Sequence, residues 1–305
     1  MRISIIDLGT NTFNVLVAER DADGRLKIIH TEERPVFLGR GGIGIGELMP
    51  EAMGRASIVL HAFTDKSREL GATRIYGFGT SALRNARNAG EFTARIQREH
   101  RIEVTVISGE EEADLILDGV RQAVPFTAKP MLVMDIGGGS IEFILATDKA
   151  LMWKRSFEIG ATRLLERFSP SDPLTLQEYF RICAYLDAQL EPLFAVMDRH
   201  WPTALVGSAG LFDTLAELVC SERGEALSHD AGTLAFGNTE FDAIKERLIG
   251  SPRAERAAMK AVPAYRVDTL PLALIALERV LAQGIGELRW SRYALKEGAA
   301  WRMLH

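Results

Sequence analysis

The chain has 305 residues, 47% of them hydrophobic and 25% charged, with a formal net charge of −5. That length predicts two domains rather than one core, and the composition is that of a globular protein in water. The acidic balance excludes a general nucleic-acid binder, so no DNA partner is expected, and a polyanionic ligand must be met by local basic residues.

The N-terminus enters a strand at once, so no leader is expected. No apolar run approaches the ~20 residues of a membrane span. Cys183 and Cys220 have no metal-ligand spacing around them, which points to a reducing, cytoplasmic setting. Apolar patterning predicts strands over 2–6, 13–18 and 25–33, the first two joined by a turn at Asp7 to Asn11. Residues 39–46 hold five glycines and read as an irregular loop. A helix is predicted over 51–70, a strand over 73–78, a helix from about 82 to 100, a strand over 103–107, and a helix over 108–123 with Ser108 as its N-cap. Residues 125–130 read as a link.

The order then begins again. Strands are predicted over 131–134, 141–146 and 151–159, a long helix over 174–200, and a strand over 204–206. Further on come a helix over 269–283, a strand over 287–290 and a final helix over 293–303. The restart is visible in the residues. Ile3 to Asn11 recurs as Met131 to Gly139, a shift of 128, and the same shift carries Gly79-Thr80-Ser81-Ala82-Leu83 onto Gly207-Ser208-Ala209-Gly210-Leu211. Such a repeat argues for a duplicated domain. The expected division is 1–124 and 125–305, with the last helix, about 292–305, packing back on the first domain. Both domains should be mixed α/β with a cleft between them.

The glycine turns suit anion binding, because they let backbone N–H groups converge. Gly9-Thr10-Asn11 and Gly137-Gly138-Gly139-Ser140 are turns between strands. Thr80-Ser81 and Gly207-Ser208-Ala209 precede helices and add unpaired N–H groups. No Gly-x-x-x-x-Gly-Lys-Ser/Thr run is present, which excludes a Walker-type loop. Asp7 and Asp135 close buried strands at such turns, and Glu142 lies on the strand returning from the second. Two carboxylates plus phosphate oxygens are a usual way to hold Mg²⁺. Glu110-Glu111-Glu112 opens a helix. The three acids either complement its dipole or supply a base for a water. Arg84 follows Gly79-Thr80-Ser81; the 128-residue shift places Phe212 opposite it, so packing does not demand an arginine there, and it suits a phosphate clamp. The six histidines show no metal grouping, and no Gly-x-Ser-x-Gly element occurs.

Taken together these stretches resemble the exopolyphosphatase/guanosine pentaphosphate phosphohydrolase (Ppx/GppA) family. The matching segments are Ile6 to Phe13, Gly79 to Arg84, Ile107 to Ala113 and Asp135 to Glu142, with Tyr293 to Gly298 similar to the family's closing helix. The resemblance implies duplicated actin-like (ribonuclease H-like) domains of the sugar kinase–heat-shock 70–actin superfamily. It implies hydrolysis of the terminal phosphoanhydride of polyphosphate, or of the 5′-γ-phosphate of guanosine pentaphosphate. It makes Glu112 the base, Arg84 a ligand of the terminal phosphates, and Asp135 and Glu142 residues that hold Mg²⁺ or orient the water; Asp7, from the residue reading above, is a further metal candidate. Many relatives carry an Arg where this chain has Phe37, and Arg40 stands nearby. Longer relatives have extra C-terminal helical domains, so shorter substrates are expected here. Dimers are common among relatives, and the apolar stretch 270–304 would support a homodimer. Two readings compete: a non-catalytic sensor of alarmone or polyphosphate, and a sugar or acid kinase, against which the Glu-Glu-Ala element argues.

Overall fold

The structure, a computed structural model, describes residues 1–228 and 231–305. The chain forms two compact units, Met1–Gly119 with Ala294–His305, and Val120–Tyr293. Among the described residues no helix is long and apolar enough to cross a membrane.

Unit 1 is built on β1 (Arg2–Leu8), β2 (Thr12–Arg20), β3 (Leu26–Pro35), β4 (Arg74–Gly79) and β5 (Glu103–Val106), in the order β3-β2-β1-β4-β5. β1 pairs antiparallel with β2 and parallel with β4. Ile3, Ile5, Ile6 and Leu8 of β1 are all fully buried, the pattern of a central strand covered on both faces. α1 (Pro50–Glu69) begins with Pro at its first position, where the missing N–H costs nothing. It contributes Leu60 and Phe63 to the core cluster that also holds Val15 and Phe13 of β2.

The single helix expected up to residue 100 is two helices, α2 (Ser81–Asn85) and α3 (Ala89–His100). The break is local chemistry. Asn85 Nδ2 donates back to the Ser81 carbonyl at 2.8 Å, and Asn88 exchanges hydrogen bonds with the Leu48 backbone at 2.9 and 3.0 Å. Such side-chain bonds compete with helix continuation, and Ala86 between them is extended.

α4 (Gly109–Ala123) crosses α11 (Leu295–Leu304), the last helix of the chain. The crossing has no room for side chains. A Cβ on Gly119 would overlap the Ala294 carbonyl, and one on Gly298 would overlap the Leu115 carbonyl. Arg302 pairs with Asp118 across the same crossing.

Unit 2 holds β6 (Met131–Ile136), β7 (Ile141–Ala146), β8 (Leu151–Phe157), β9 (Leu205–Ser208), β10 (Thr233–Gly237) and β11 (Glu287–Ser291), in the order β10-β11-β9-β6-β7-β8. Read as β8-β7-β6-β9-β11, this repeats unit 1, with β10 added at the edge. The fold is therefore duplicated α/β, as expected. Its helices are α5 (Ala161–Phe168), α6 (Leu176–His200), α7 (Gly210–Glu222), α8 (Asn238–Gly250), α9 (Arg253–Ala258) and α10 (Leu270–Leu281). α6 starts at a capping box between Thr175 and Glu178. α5, β10, α8 and α9 were not predicted: two of them are short, and all but α5 lie where the copies no longer match.

Two expectations are corrected. First, the repeat does not hold one offset. Leu8 lies opposite Gly79 in unit 1, whereas Met134 lies opposite Gly207 in unit 2. Measured from β1 and β6, the second turn has slipped by two residues, so Gly207 and Ser208 end β9 and do not form the turn. The residue standing for Arg84 is then Thr214, not Phe212. Second, the most apolar parts of the stretch 270–304 are interior, although Met303 is exposed. Every residue from Leu270 to Leu277 is buried in the core of unit 2, and Ala299 and Ala300 are buried in unit 1.

Candidate active site

In unit 1, β1 delivers Asp7 to the edge of the turn Gly9-Thr10-Asn11. Asp7 lies opposite Asn14 of β2, which lies opposite Glu33 of β3, and residues so paired share one face. Asp7 Oδ1 is covered and has no hydrogen-bond partner among the described residues. Burial pushes the Asp7 carboxyl up to about 7; the Lys296 ammonium of α11 opposes this, as does the Asn14 hydrogen bond, while the charges of Glu33 and Glu297 reinforce it.

β4 ends at Gly79, and Thr80 and Ser81 follow, both buried. One turn on, Arg84 donates from Nη1 to Glu112 Oε2 at 2.8 Å and to the Ile107 carbonyl at 3.2 Å. The three acids in the first turn of α4 divide the work. Glu111 accepts from the Ser108 N–H at 2.8 Å and the Glu111 N–H donates to Ser108 Oγ at 3.2 Å, a capping box. Glu110 is exposed. Glu112 is buried, its side chain 9% exposed beside an Arg84 that is 18% exposed. Helical phase explains the difference, since Glu112 shares the stripe of Ile116 and Val120.

In unit 2, Asp135 and Glu142 lie directly opposite each other on β6 and β7. Both are buried. Asp135 Oδ2 accepts from Ser208 Oγ at 2.6 Å, and Glu142 Oε1 from Ser156 Oγ at 2.6 Å. Ser208 reaches Asp135 because β9 pairs the two residues directly, which the slipped offset made possible. The turn Gly137 to Ser140 is bolted down from behind: the N–H groups of Ala161, Thr162 and Arg163, at the start of α5, donate to the carbonyls of Gly137 and Gly138.

Two buried carboxylates set opposite each other repel and are costly in a low-dielectric site unless a cation or a proton offsets them. All donors here are hard oxygens, as a small divalent cation requires. Among the described residues no cluster of three or more His, Cys, Asp or Glu side chains could hold a metal by itself. Such an ion would therefore take part of its shell from substrate phosphate, the usual arrangement for Mg²⁺. Of the six histidines, His229 lies outside the described residues. The donor set fits the expected metal.

Two features of unit 2 were not anticipated. Arg266 lies against Gly210 at the start of α7: a Cβ there would be 3.3 Å from Arg266 Nε. Its Nη1 donates to Thr214 Oγ1 at 3.4 Å. Unit 1 carries its arginine on the helix itself, and unit 2 brings one from another segment to the matching position. A guanidinium at the positive end of a helix is unfavourable alone and favourable with an anion present. No sequence signal pointed to it, because Arg266 lies in no helix or strand and 52 residues separate it from Thr214.

The second feature is Ala209, the N-cap of α7, at φ 59° and ψ −173°. That region is nearly exclusive to glycine and costs other residues about 1–3 kcal/mol. Ala209→Gly is therefore expected to stabilise unit 2 by about 1 kcal/mol, after allowing for the extra entropy that glycine loses on folding. Urea unfolding checks this; an unchanged or lower midpoint would mean that the backbone there is not strained.

Two α/β units, each with an acid and a hydroxyl-bearing glycine turn at the end of its central strand, define a class of duplicated α/β protein. The chain belongs to the Ppx/GppA phosphatase family, whose model matches residues 16–305. It is 30% identical to exopolyphosphatase 2 of Mycobacterium tuberculosis over 98% of this chain and 97% of that protein. The crystal structure of an exopolyphosphatase from Cytophaga hutchinsonii superimposes with a TM-score of 0.97 at 37% identity, covering 100% of this chain and 98% of that one. A Ppx/GppA family member from Aquifex aeolicus shares the fold, with a TM-score of 0.81 at 24% identity over 100% and 97%.

Proposed function

We propose that this chain is an exopolyphosphatase that hydrolyses the terminal phosphoanhydride of inorganic polyphosphate and releases orthophosphate. The family and the full-length likeness to exopolyphosphatases support the reaction class. The observation that carries the assignment to residues is the buried Glu112 carboxylate hydrogen-bonded to Arg84.

Glu112 accepts a proton from the attacking water as its oxygen bonds to the terminal phosphorus. The bridging P–O bond breaks, and the shortened chain leaves with the electron pair. Arg84, held by Glu112 in the resting protein, donates to non-bridging oxygens of that phosphoryl group. The turns Gly9-Thr10-Asn11 and Gly137-Gly138-Gly139-Ser140, the residues Thr80 and Ser81, and the start of α7 from Ala209 donate N–H and hydroxyl groups to phosphate oxygens. Arg266 adds a cation beside the last of these. Asp135 and Glu142, opposite each other on β6 and β7, would hold Mg²⁺. The ion, when bound, offsets charge on the phosphoryl oxygens.

The test is orthophosphate release from short polyphosphate, long polyphosphate and guanosine pentaphosphate side by side. Release from polyphosphate in Mg²⁺, lost with EDTA and restored by Mg²⁺, is expected. A higher kcat/KM on the pentaphosphate would move the substrate to the alarmone. Binding without release from any of them would leave a sensor.

A further inference from the structure

Arg266 lies in no helix or strand, so its position must be set by other contacts. Its guanidinium lies along the first residue of α7: a Cβ on Gly210 would be 3.3, 3.5 and 3.6 Å from Arg266 Nε, Cζ and Nη2. Ser208, just before that helix, donates to Asp135, so Arg266 stands at the end of unit 2 that carries the acids. Its backbone is held on both sides. The Arg266 carbonyl accepts from the N–H groups of Thr269 and Leu270 at 3.1 and 2.9 Å, which ties it to the start of α10. The next carbonyl, that of Val267, accepts from Arg256 Nε at 3.1 Å.

Arg256 is buried. Burying a guanidinium is costly unless its N–H groups are met, and here they are. Besides the bond to Val267, Nη1 donates to the Ser251 carbonyl and Nη2 to Asp172 Oδ1, the latter at 2.6 Å. The other oxygen of that carboxylate accepts from the Arg253 N–H at 2.7 Å. Ser251 and Val267 lie outside helices and strands, so their carbonyls need such a partner. The rigid fork of one arginine therefore fixes separate stretches of irregular chain relative to one another.

Asp172 carries the link further. It follows shortly after the end of α5 at Phe168, and the start of α5 is the element that holds the Gly137–Ser140 turn from behind. The pair Asp172–Arg256 thus joins the support of the glycine turn to the segment that presents Arg266. Apolar residues would fill the same space at no cost in desolvation; what the buried pair adds is a defined position for a segment that has no secondary structure to define it.

We propose that Arg256, held by Asp172, is a positioning residue that sets Arg266 relative to the Gly137–Ser140 turn, so that both meet the same phosphate chain. The proposal rests on the reading of Arg266 and that turn as phosphate contacts. Arg256 acts through Arg266 and does not itself touch substrate.

The experiment is a double-mutant cycle on polyphosphate. Asp172→Ala removes the partner of Arg256 from an exposed position, and Arg266→Ala removes the arginine being positioned. KM and kcat are measured for wild type, both single variants and the double variant, with calorimetric Kd for polyphosphate and a thermal melt in parallel. Arg266→Ala is expected to raise KM and Kd by about 10–100-fold, the range for one charge-assisted contact. Asp172→Ala is expected to raise them by about 3–10-fold, with kcat within about twofold. The double variant should match Arg266→Ala within about twofold, because misplacement matters only while the arginine is there. A merely structural role would lower the melting temperature and multiply the two effects. Arg256→Lys keeps the charge without the fork and should behave as Asp172→Ala does. If Asp172→Ala fails to fold, Asp172→Asn, which keeps one acceptor oxygen, runs the same cycle with an effect of about 2–4-fold. Multiplied effects in the double variant, an unchanged Kd in either single variant, or a fall in kcat alone would overturn the proposal. If wild type binds polyphosphate without hydrolysing it, the exopolyphosphatase reading fails, and the cycle in Kd still decides Arg256.

Discussion

Glu112→Gln is expected to lower kcat for orthophosphate release by about 10²–10⁴-fold, the usual contribution of a positioned base, or about 3–5.5 kcal/mol of barrier. The substitution isolates the proton-accepting step. Glutamine has the shape of glutamate, and its amide oxygen still accepts from Arg84 Nη1, which lies 2.8 Å from the present carboxylate. What it lacks is the basicity to take a proton from water. Losing one charge of a pair costs most when both partners are sealed in; Arg84 is 18% exposed, so solvent screens part of the loss. A stability change of about 1–2 kcal/mol is expected, too small to unfold the protein and too small to account for the rate. Stopped-time phosphate assays with a parallel thermal melt separate the two effects. Turnover within tenfold of wild type in a folded Glu112→Gln protein would remove Glu112 from the role of base.

Gly298→Ala is expected to destabilise unit 1 by about 2–4 kcal/mol, although alanine is the better helix former. The propensity gain is about 1 kcal/mol. Against it stands an overlap with the Leu115 carbonyl oxygen, a backbone atom with no rotamer to change. α4 and α11 must move apart, and overpacking of this kind typically costs 1–3 kcal/mol, more where backbone must shift. Gly119 makes the reciprocal contact with the Ala294 carbonyl, so the crossing cannot relax by sliding. Guanidinium unfolding followed in both units should show the transition of unit 1 moving to lower denaturant while that of unit 2 stays. Unchanged stability would mean that the helices are not in backbone contact.

The duplication, the acids at the ends of β1 and β6, and the turns after them were legible because they sit in strongly apolar strands. Buried strands leave a run such as Ile3 to Leu8 that little else produces. Glu112 was legible only in part. Composition could not separate it from Glu110 and Glu111; the resemblance to the family singled it out, and the structure places it on one helical stripe with Ile116 and Val120. The repeat misled where it was followed too far. Equal spacing of Gly79 and Gly207 suggested equivalent turns, but strand register is set by side-chain packing between neighbouring strands, and β9 pairs two residues away from the expected position. Arg266 was invisible for a different reason. Its place depends on α8 and α9 and on the loop that follows them, none of which has a counterpart in the first copy.

The return of Ala294–His305 to unit 1 makes unit 2 an insertion within the first unit. A ribosome completes β1 to β5 early, but the helix that lies against them is synthesised only after all of unit 2 has emerged. Until then the contacts that β1 and β2 make with α11 are missing from the first unit. The first unit therefore receives its last helix only after the whole of the inserted unit has been made, and the inserted unit can close before it.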